Sequence, residues 1–207
     1  MKVLLINGSP HEKGCTYTAL CEVAGQLQKQ GIETELLHIG SGDVRGCAAC
    51  GGCAQSGHCV FNDDRVNEAI DKLSQADGLV IGAPVHYASP AGAMLSFLDR
   101  MFFAGSKNFA HKPGACVTSA RRAGTTASLD VLSKYLTISQ MPLVSAHYWP
   151  MVHGGSPEEV RQDAEGMQVM RRLGDNMAWL LRCIEAGREK GIEPQCPEQR
   201  VFTNFVR

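Results

Sequence analysis

The first twenty residues constrain the fold more than any other stretch of the chain. Lys2-Val-Leu-Leu-Ile-Asn7 is an almost unbroken apolar run, the pattern of a strand covered on both faces of a parallel sheet. Gly8-Ser-Pro-His-Glu-Lys-Gly-Cys15 follows, rich in turn-forming residues, and must redirect the chain. Leu20, Val23, Ala24 and Leu27 then recur at i, i+3, i+4 and i+7, which is one face of an amphipathic helix. Strand, small-residue loop and helix start together make an anion site. The first N–H groups of the helix are unpaired and its dipole favours negative charge there.

The loop narrows the choice of anion. No Gly-Lys-Ser/Thr ending is present, so it is not a Walker loop. Gly8 is followed by Ser9 and the next glycine is Gly14, so the dinucleotide pattern G-x-G-x-x-G is absent too. Hydroxyls on Ser9, Thr16 and Thr18, with backbone N–H groups, suit one terminal phosphate monoester. The alternative is an ordinary strand-to-helix turn capped by Thr16. Asn7-Gly-Ser-Pro10 followed by Gly14-Cys-Thr-Tyr-Thr18 resembles the phosphate loop of the NAD(P)H-dependent FMN reductase group, which is flavodoxin-like. The resemblance implies FMN, with Ser9, Pro10, Gly14, Cys15, Thr16, Tyr17 and Thr18 around its phosphate. Cys15 stands where that group commonly has Asn.

At 207 residues the chain fits one α/β domain with a sizeable core. Twenty basic residues against 21 acidic ones, with no long basic run, leave nucleic acid unsupported as a partner. No apolar stretch reaches bilayer length, and the N-terminus enters a strand without a basic region or cleavage site, so a cytosolic chain without a membrane partner is expected. In that reducing setting, clustered members of its nine Cys point to metal binding or redox work more than to structural disulfides.

Further along, Thr34–Ile39 reads as a second strand, Asp77–Ala83 as a third, Gly114–Thr118 as a fourth and Pro142–Ala146 as a fifth, with helices between them. A last helix is expected from Pro157 towards Glu185, with Gly166 and Gly174 as weak points. Alternating strands and helices predict a doubly wound parallel sheet with helices on both faces. The flavodoxin-like order 2-1-3-4-5 is expected, with the ligand at the carboxyl ends of the strands. The whole chain, 1–207, reads as one domain with a Cys-rich insertion at 41–64 and a tail at 187–207.

If phosphate follows strand one, the flavin ring should meet the loops after strands three and four. Pro84-Val-His-Tyr87 resembles the Pro-x-Tyr segment that lies along the isoalloxazine in the reductase group, which implies contact from Pro84, Val85, His86 and Tyr87. Whether His86 or Tyr87 stacks is open. Ser119 to Thr125 matches the loop at the ring's polar edge, which implies roles for Ser119, Arg121, Gly124 and Thr125. Arg121 or Arg122 near N1 would stabilise an anionic reduced flavin; a pair of solvated arginines is the alternative.

Cys47, Cys50, Cys53 and Cys59 give C-x2-C-x2-C-x5-C. Two-residue gaps let three thiolates curl round one face of a cubane, and small intervening residues allow close approach of the backbone. Bacterial ferredoxins open with the same spacing. The motif looks like that of the iron–sulfur flavoproteins, a branch of the FMN reductase group, which implies a [4Fe–4S] cluster on these four residues. Zinc is the rival, although its ribbons separate two C-x2-C knuckles more widely. Free thiols or a disulfide are the third reading.

The expected activity is FMN-dependent oxidoreduction, with NAD(P)H as co-substrate and a quinone, another small molecule or a redox partner protein as acceptor, by way of the cluster. No protein acid or base is demanded, because the hydride chemistry belongs to the flavin. A non-enzymatic flavodoxin-type carrier and a cluster-free reductase are the alternatives. Trp149–His153 and Val201–Phe205 are apolar enough to suggest a second subunit, hence a homodimer or homotetramer.

Overall fold

The computed structural model describes residues 1–195, 198, 199, 201 and 203. The opening run forms β1 (Lys2–Asn7) and the amphipathic stretch after it α1 (Cys15–Lys29). They are followed by β2 (Glu33–His38), the single turn α2 (Cys53–Ser56), α3 (Val66–Gln75) and β3 (Gly78–His86). A two-residue β4 (Ser89–Pro90) precedes α4 (Gly92–Gly105), β5 (Gly114–Ala120) and α5 (Thr125–Ile138). β6 (Met151–His153), α6 (Pro157–Gln162) and α7 (Ala164–Glu189) complete the elements.

The sheet runs β2-β1-β3-β5-β6, all parallel, with β4 folded back antiparallel on the end of β3. With that short hairpin set aside, this is the order expected from the flavodoxin-like resemblance. β1, the first part of β3 and all of β5 are buried, as strands covered on both faces must be. One core lies between the sheet and α3, α4 and α5, and includes Leu4, Ile6, Leu79, Ile81 and Phe97. The other lies under α1 and α7 and includes Val3, Leu5, Leu20, Val80 and Leu173. No helix among the described residues is long and apolar enough to cross a membrane.

Two expectations fail in an instructive way. The fifth strand does not run through 142–146: only Leu143 bridges, to Gly114, and the strand position is completed by β6 beside Thr118–Ala120. Prolines explain the split, because each offers an acceptor and no donor. Pro142 O accepts Gly114 N at 2.9 Å and Pro150 O accepts Thr118 N at 3.0 Å, and the chain leaves the sheet between them. Consequently Val152, expected in an interface, is fully buried in this chain's own core, while Tyr148 and Trp149 stay exposed and pack edge to face.

The final helix breaks at Asp163, not at a glycine. Asp163 Oδ1 accepts the N–H of Gly166 at 3.0 Å and Oδ2 accepts that of His153 at 2.7 Å, an N-cap that starts α7 afresh. Gly174 is a contact point: a Cβ there would stand 2.9 Å from Gln26 Cβ, so its absence lets α7 lie close along α1. In the tail, Phe202, Asn204 and Phe205 lie outside the described residues.

Candidate functional site

Three loops meet at the carboxyl ends of β1, β3 and β5. In the first, Asn7 is fully buried and spans the turn: its Nδ2 donates to Glu12 O (3.0 Å) and its Oδ1 accepts Ser9 N (3.1 Å). His38 at the end of β2 donates through Nε2 to Ser9 O (2.7 Å), with the proton placed on Nε2 by the carbonyl partner. Gly8 is required by close packing, because a Cβ would lie 2.6 Å from Met94 Sδ on α4. Gly14, not Thr16, is the N-cap of α1.

The first helical bond runs from Thr18 N to Gly14 O (3.0 Å), so the N–H groups of Cys15, Thr16 and Tyr17 precede it. No acidic residue occupies that first turn. Of the three hydroxyls, Thr18 is spent on Gly14 O (3.1 Å). Ser9 Oγ accepts His11 N (3.1 Å) and keeps its own proton to donate. Thr16 Oγ1 pairs with Ser119 Oγ at 2.8 Å, which leaves one proton of that pair uncommitted. Pro10 is exposed and Tyr17 half-buried beside them. Cys15 Sγ points at Gly154 O (3.7 Å). Burial, with Glu159 and Glu158 nearby, pushes this thiol up, so it is a neutral neighbour. Free amide and hydroxyl donors with no carboxylate among them are the chemistry of a phosphate-monoester cradle.

The second and third loops are locked together. Gly124 has φ +92, and a Cβ on it would stand 2.7 Å from Val85 Cγ1. Pro84 and Val85 are half-buried, whereas His86 and Tyr87 are exposed at the tip of the β3–β4 hairpin, with Tyr87 at φ +59. Ser119 and Thr125 are buried, and Arg121 and Arg122 are exposed. The structure therefore gathers Ser9, Thr16, Ser119, Gly124 and Val85 into one connected floor and leaves His86, Tyr87 and Arg121 on its rim. A separate cleft of about 530 Å³ lies along the interrupted sheet edge, between α5 and residues 143–150.

The cysteine loop lies along α4. Cys47 and Cys50 are exposed, Cys53 and Cys59 half-buried, and all four are free thiols. They line one cavity of about 150 Å³ together with Phe61, Arg100 and Phe103. Cys53 Sγ makes a weak contact with Phe103 O (3.9 Å). Cys59 is fixed most firmly: its N–H donates to Asn67 Oδ1 (2.8 Å), its carbonyl accepts from Asn67 Nδ2 (2.9 Å) and its Sγ accepts from Arg100 Nε (3.2 Å). Among the described residues no three His, Cys, Asp or Glu side chains converge on a single ion. A cubane takes each thiolate on a different iron, so thiols spread around a cavity fit it better than they fit one tetrahedral zinc.

The residue that sequence reasoning missed is Arg100. Its side chain is 1% exposed, and it pairs with Asp64 and donates to Arg45 O (3.3 Å) and Phe61 O (3.2 Å). These bonds fold the loop on its own helix. A basic residue on α4, otherwise buried through Met94, Phe97, Leu98 and Met101, was the available signal. α4 also joins the two sites: Met94 touches the phosphate loop and Arg100 the cysteine loop, six residues or about 9 Å apart along the helix.

A parallel sheet of this order, with a hydroxyl-lined loop after its first strand, defines the flavodoxin-like class. A flavodoxin from the domain Archaea has the same fold, with TM-score 0.59 and 12% identity over 88% of this chain and 99% of that one. The chain belongs to the NADPH-dependent FMN reductase family, whose model matches residues 1–155. Membership supports flavin-dependent oxidoreduction with FMN as the flavin. Similar proteins include an iron-sulfur flavoprotein of Methanocaldococcus jannaschii, 28% identical over 89% of this chain and all of that protein. Another, from Methanosarcina thermophila, is 28% identical over 92% of this chain and all of that protein.

Proposed function

We propose that this protein takes a hydride from NADH or NADPH onto FMN and passes electrons through a [4Fe–4S] cluster on Cys47, Cys50, Cys53 and Cys59 to a quinone, another small molecule or a partner protein. The observation that carries the reading is the single cavity lined by all four cysteines, on the helix that also touches the phosphate loop. Bound FMN supplies hydride acceptance and release of electrons one at a time, and a cluster supplies one-electron storage. The chain's own part is placement and electrostatics. Ser9, Thr16 and the first N–H groups of α1 hold the phosphate, with Pro10, Gly14, Cys15, Tyr17 and Thr18 shaping the loop. Pro84, Val85, His86 and Tyr87 lie along the ring, while Ser119, Arg121, Gly124 and Thr125 face its polar edge.

The protein works in the cytosol as a homodimer or homotetramer. Exposed Phe103, Tyr148, Trp149 and Trp179 support the assembly, and a monomeric mass at micromolar concentration in sedimentation would contradict it. Anaerobic mixing with each nicotinamide nucleotide tests the enzymatic reading. Bleaching of the flavin absorbance by one of them is expected. Flavin that stays oxidised with both, yet is reduced by a protein donor, would make the chain a carrier instead.

A further inference from the structure

Arg100 does more than the loop needs. Its guanidinium is buried and its positive charge is balanced by Asp64, while Arg45 O and Phe61 O anchor the loop on either side. Those three partners, through four bonds, account for both terminal nitrogens. The remaining donor, Nε–H, is directed at one sulfur, Cys59 Sγ, at 3.2 Å. Burial disfavours the charged guanidinium, but the Asp64 and Cys59 partners outweigh it and leave the group firmly protonated. Among the described residues, Cys59 is the one cysteine of the four whose sulfur receives a bond from a charged donor.

We infer that Arg100 is a positioning residue that fixes Cys59 as a ligand and raises the reduction potential of the cluster through the Nε–H···Sγ bond. The inference rests on the cluster reading proposed above. When one electron enters from reduced flavin, negative charge on the cluster and its thiolates increases. A donor already aimed at sulfur is bound more strongly by that more negative state, and hydrogen bonds to sulfur are one of the levers that set such potentials. Arg100 neither gains nor loses a proton in the step, because a guanidinium keeps all its N–H groups. Asp64 cancels the net charge of the pair, so the effect belongs to the directed bond and not to a diffuse field. A role confined to holding the loop in shape would leave the potential of a fully loaded cluster where it was.

The test uses the full chain with FMN bound, reconstituted anaerobically with iron and sulfide, as wild type, Arg100→Lys and Arg100→Gln. Iron and sulfide are counted first. Wild-type protein that takes up no cluster overturns the metal reading, and this inference with it, before any variant is compared. In an EPR-monitored redox titration, Arg100→Gln is expected to disfavour cluster reduction at least about tenfold, which is about 59 mV for one electron. Arg100→Lys should fall between, with the flavin potentials unmoved in both. A fully loaded variant with the wild-type midpoint overturns the inference. If neither variant holds iron, wild type labelled with [15N]arginine decides: pulsed EPR of the reduced cluster should reveal a nitrogen coupling, and its absence overturns the inference as well.

Discussion

The hydroxyls of Thr16 and Ser119 lie 2.8 Å apart, both side chains buried, and so tie the first turn of α1 to the end of β5 across the intervening β3. The pair makes phosphate binding and ring placement parts of one rigid floor. Thr16→Val removes one hydroxyl at nearly constant shape and strands the other, which should cost about 1–3 kcal/mol of stability. Thr16→Asp adds like charge beside the phosphate and should weaken FMN binding at least tenfold, about 1.4 kcal/mol. Fluorescence titration of FMN, with a thermal melt to confirm folding, measures both. Unchanged binding by the Asp variant would remove the phosphate from this loop.

Gly124 and Val85 hold the other two loops together. Alanine at 124 faces two separate penalties: a left-handed φ of +92 and a Cβ 2.7 Å from Val85 Cγ1. The backbone cost alone is about 1–2 kcal/mol. Adding Val85→Ala should relieve the clash and leave that backbone cost, so the double variant should be more stable than the sum of the two singles predicts. Denaturant unfolding of all four proteins gives the coupling. Strict additivity would mean that the loops do not bear on each other.

Among the described residues Asp64 is the sole carboxylate on the buried Arg100, and its Oδ1 also accepts Val66 N at the start of α3 (3.1 Å). Asp64→Asn leaves an uncompensated buried cation, a loss of about 3–5 kcal/mol. Glu68→Gln breaks an exposed pair with Arg65 (2.7 Å) and should cost less than about 1 kcal/mol. Comparison of the two by urea unfolding checks the ranking. Equal small losses would show that Arg100 does not organise the cysteine loop.

Much of this arrangement was legible in the sequence because it is local. The apolar runs of β1, β3 and β5, the periodicity of α1 and the loop between Gly8 and Cys15 follow from spacing along the chain, whereas the order of the sheet was expected from the flavodoxin-like resemblance of that loop. The departures come from contacts between distant segments. Pro142 and Pro150 look like ordinary turn residues until each is seen supplying a lone acceptor to β5, 28 and 32 residues from its partners Gly114 and Thr118. Asp163 reads as one more polar helix residue, yet the bond it accepts from Gly166 N makes it a cap, and the one from His153 N ties that cap to β6. The spacing of the four cysteines was visible, but what orders their loop was not. Arg100 lies 41 residues beyond Cys59, and no periodicity links the two.

The central claim is that the cysteine cavity and the flavin cradle serve one electron path. Iron, sulfide and FMN counted on the same anaerobically reconstituted protein test it most directly. About four iron and four sulfide per FMN are expected, and replacement of any one of Cys47, Cys50, Cys53 or Cys59 by Ser should weaken or abolish the cluster with FMN retained. One zinc per chain, or no metal at all under those conditions, would contradict it.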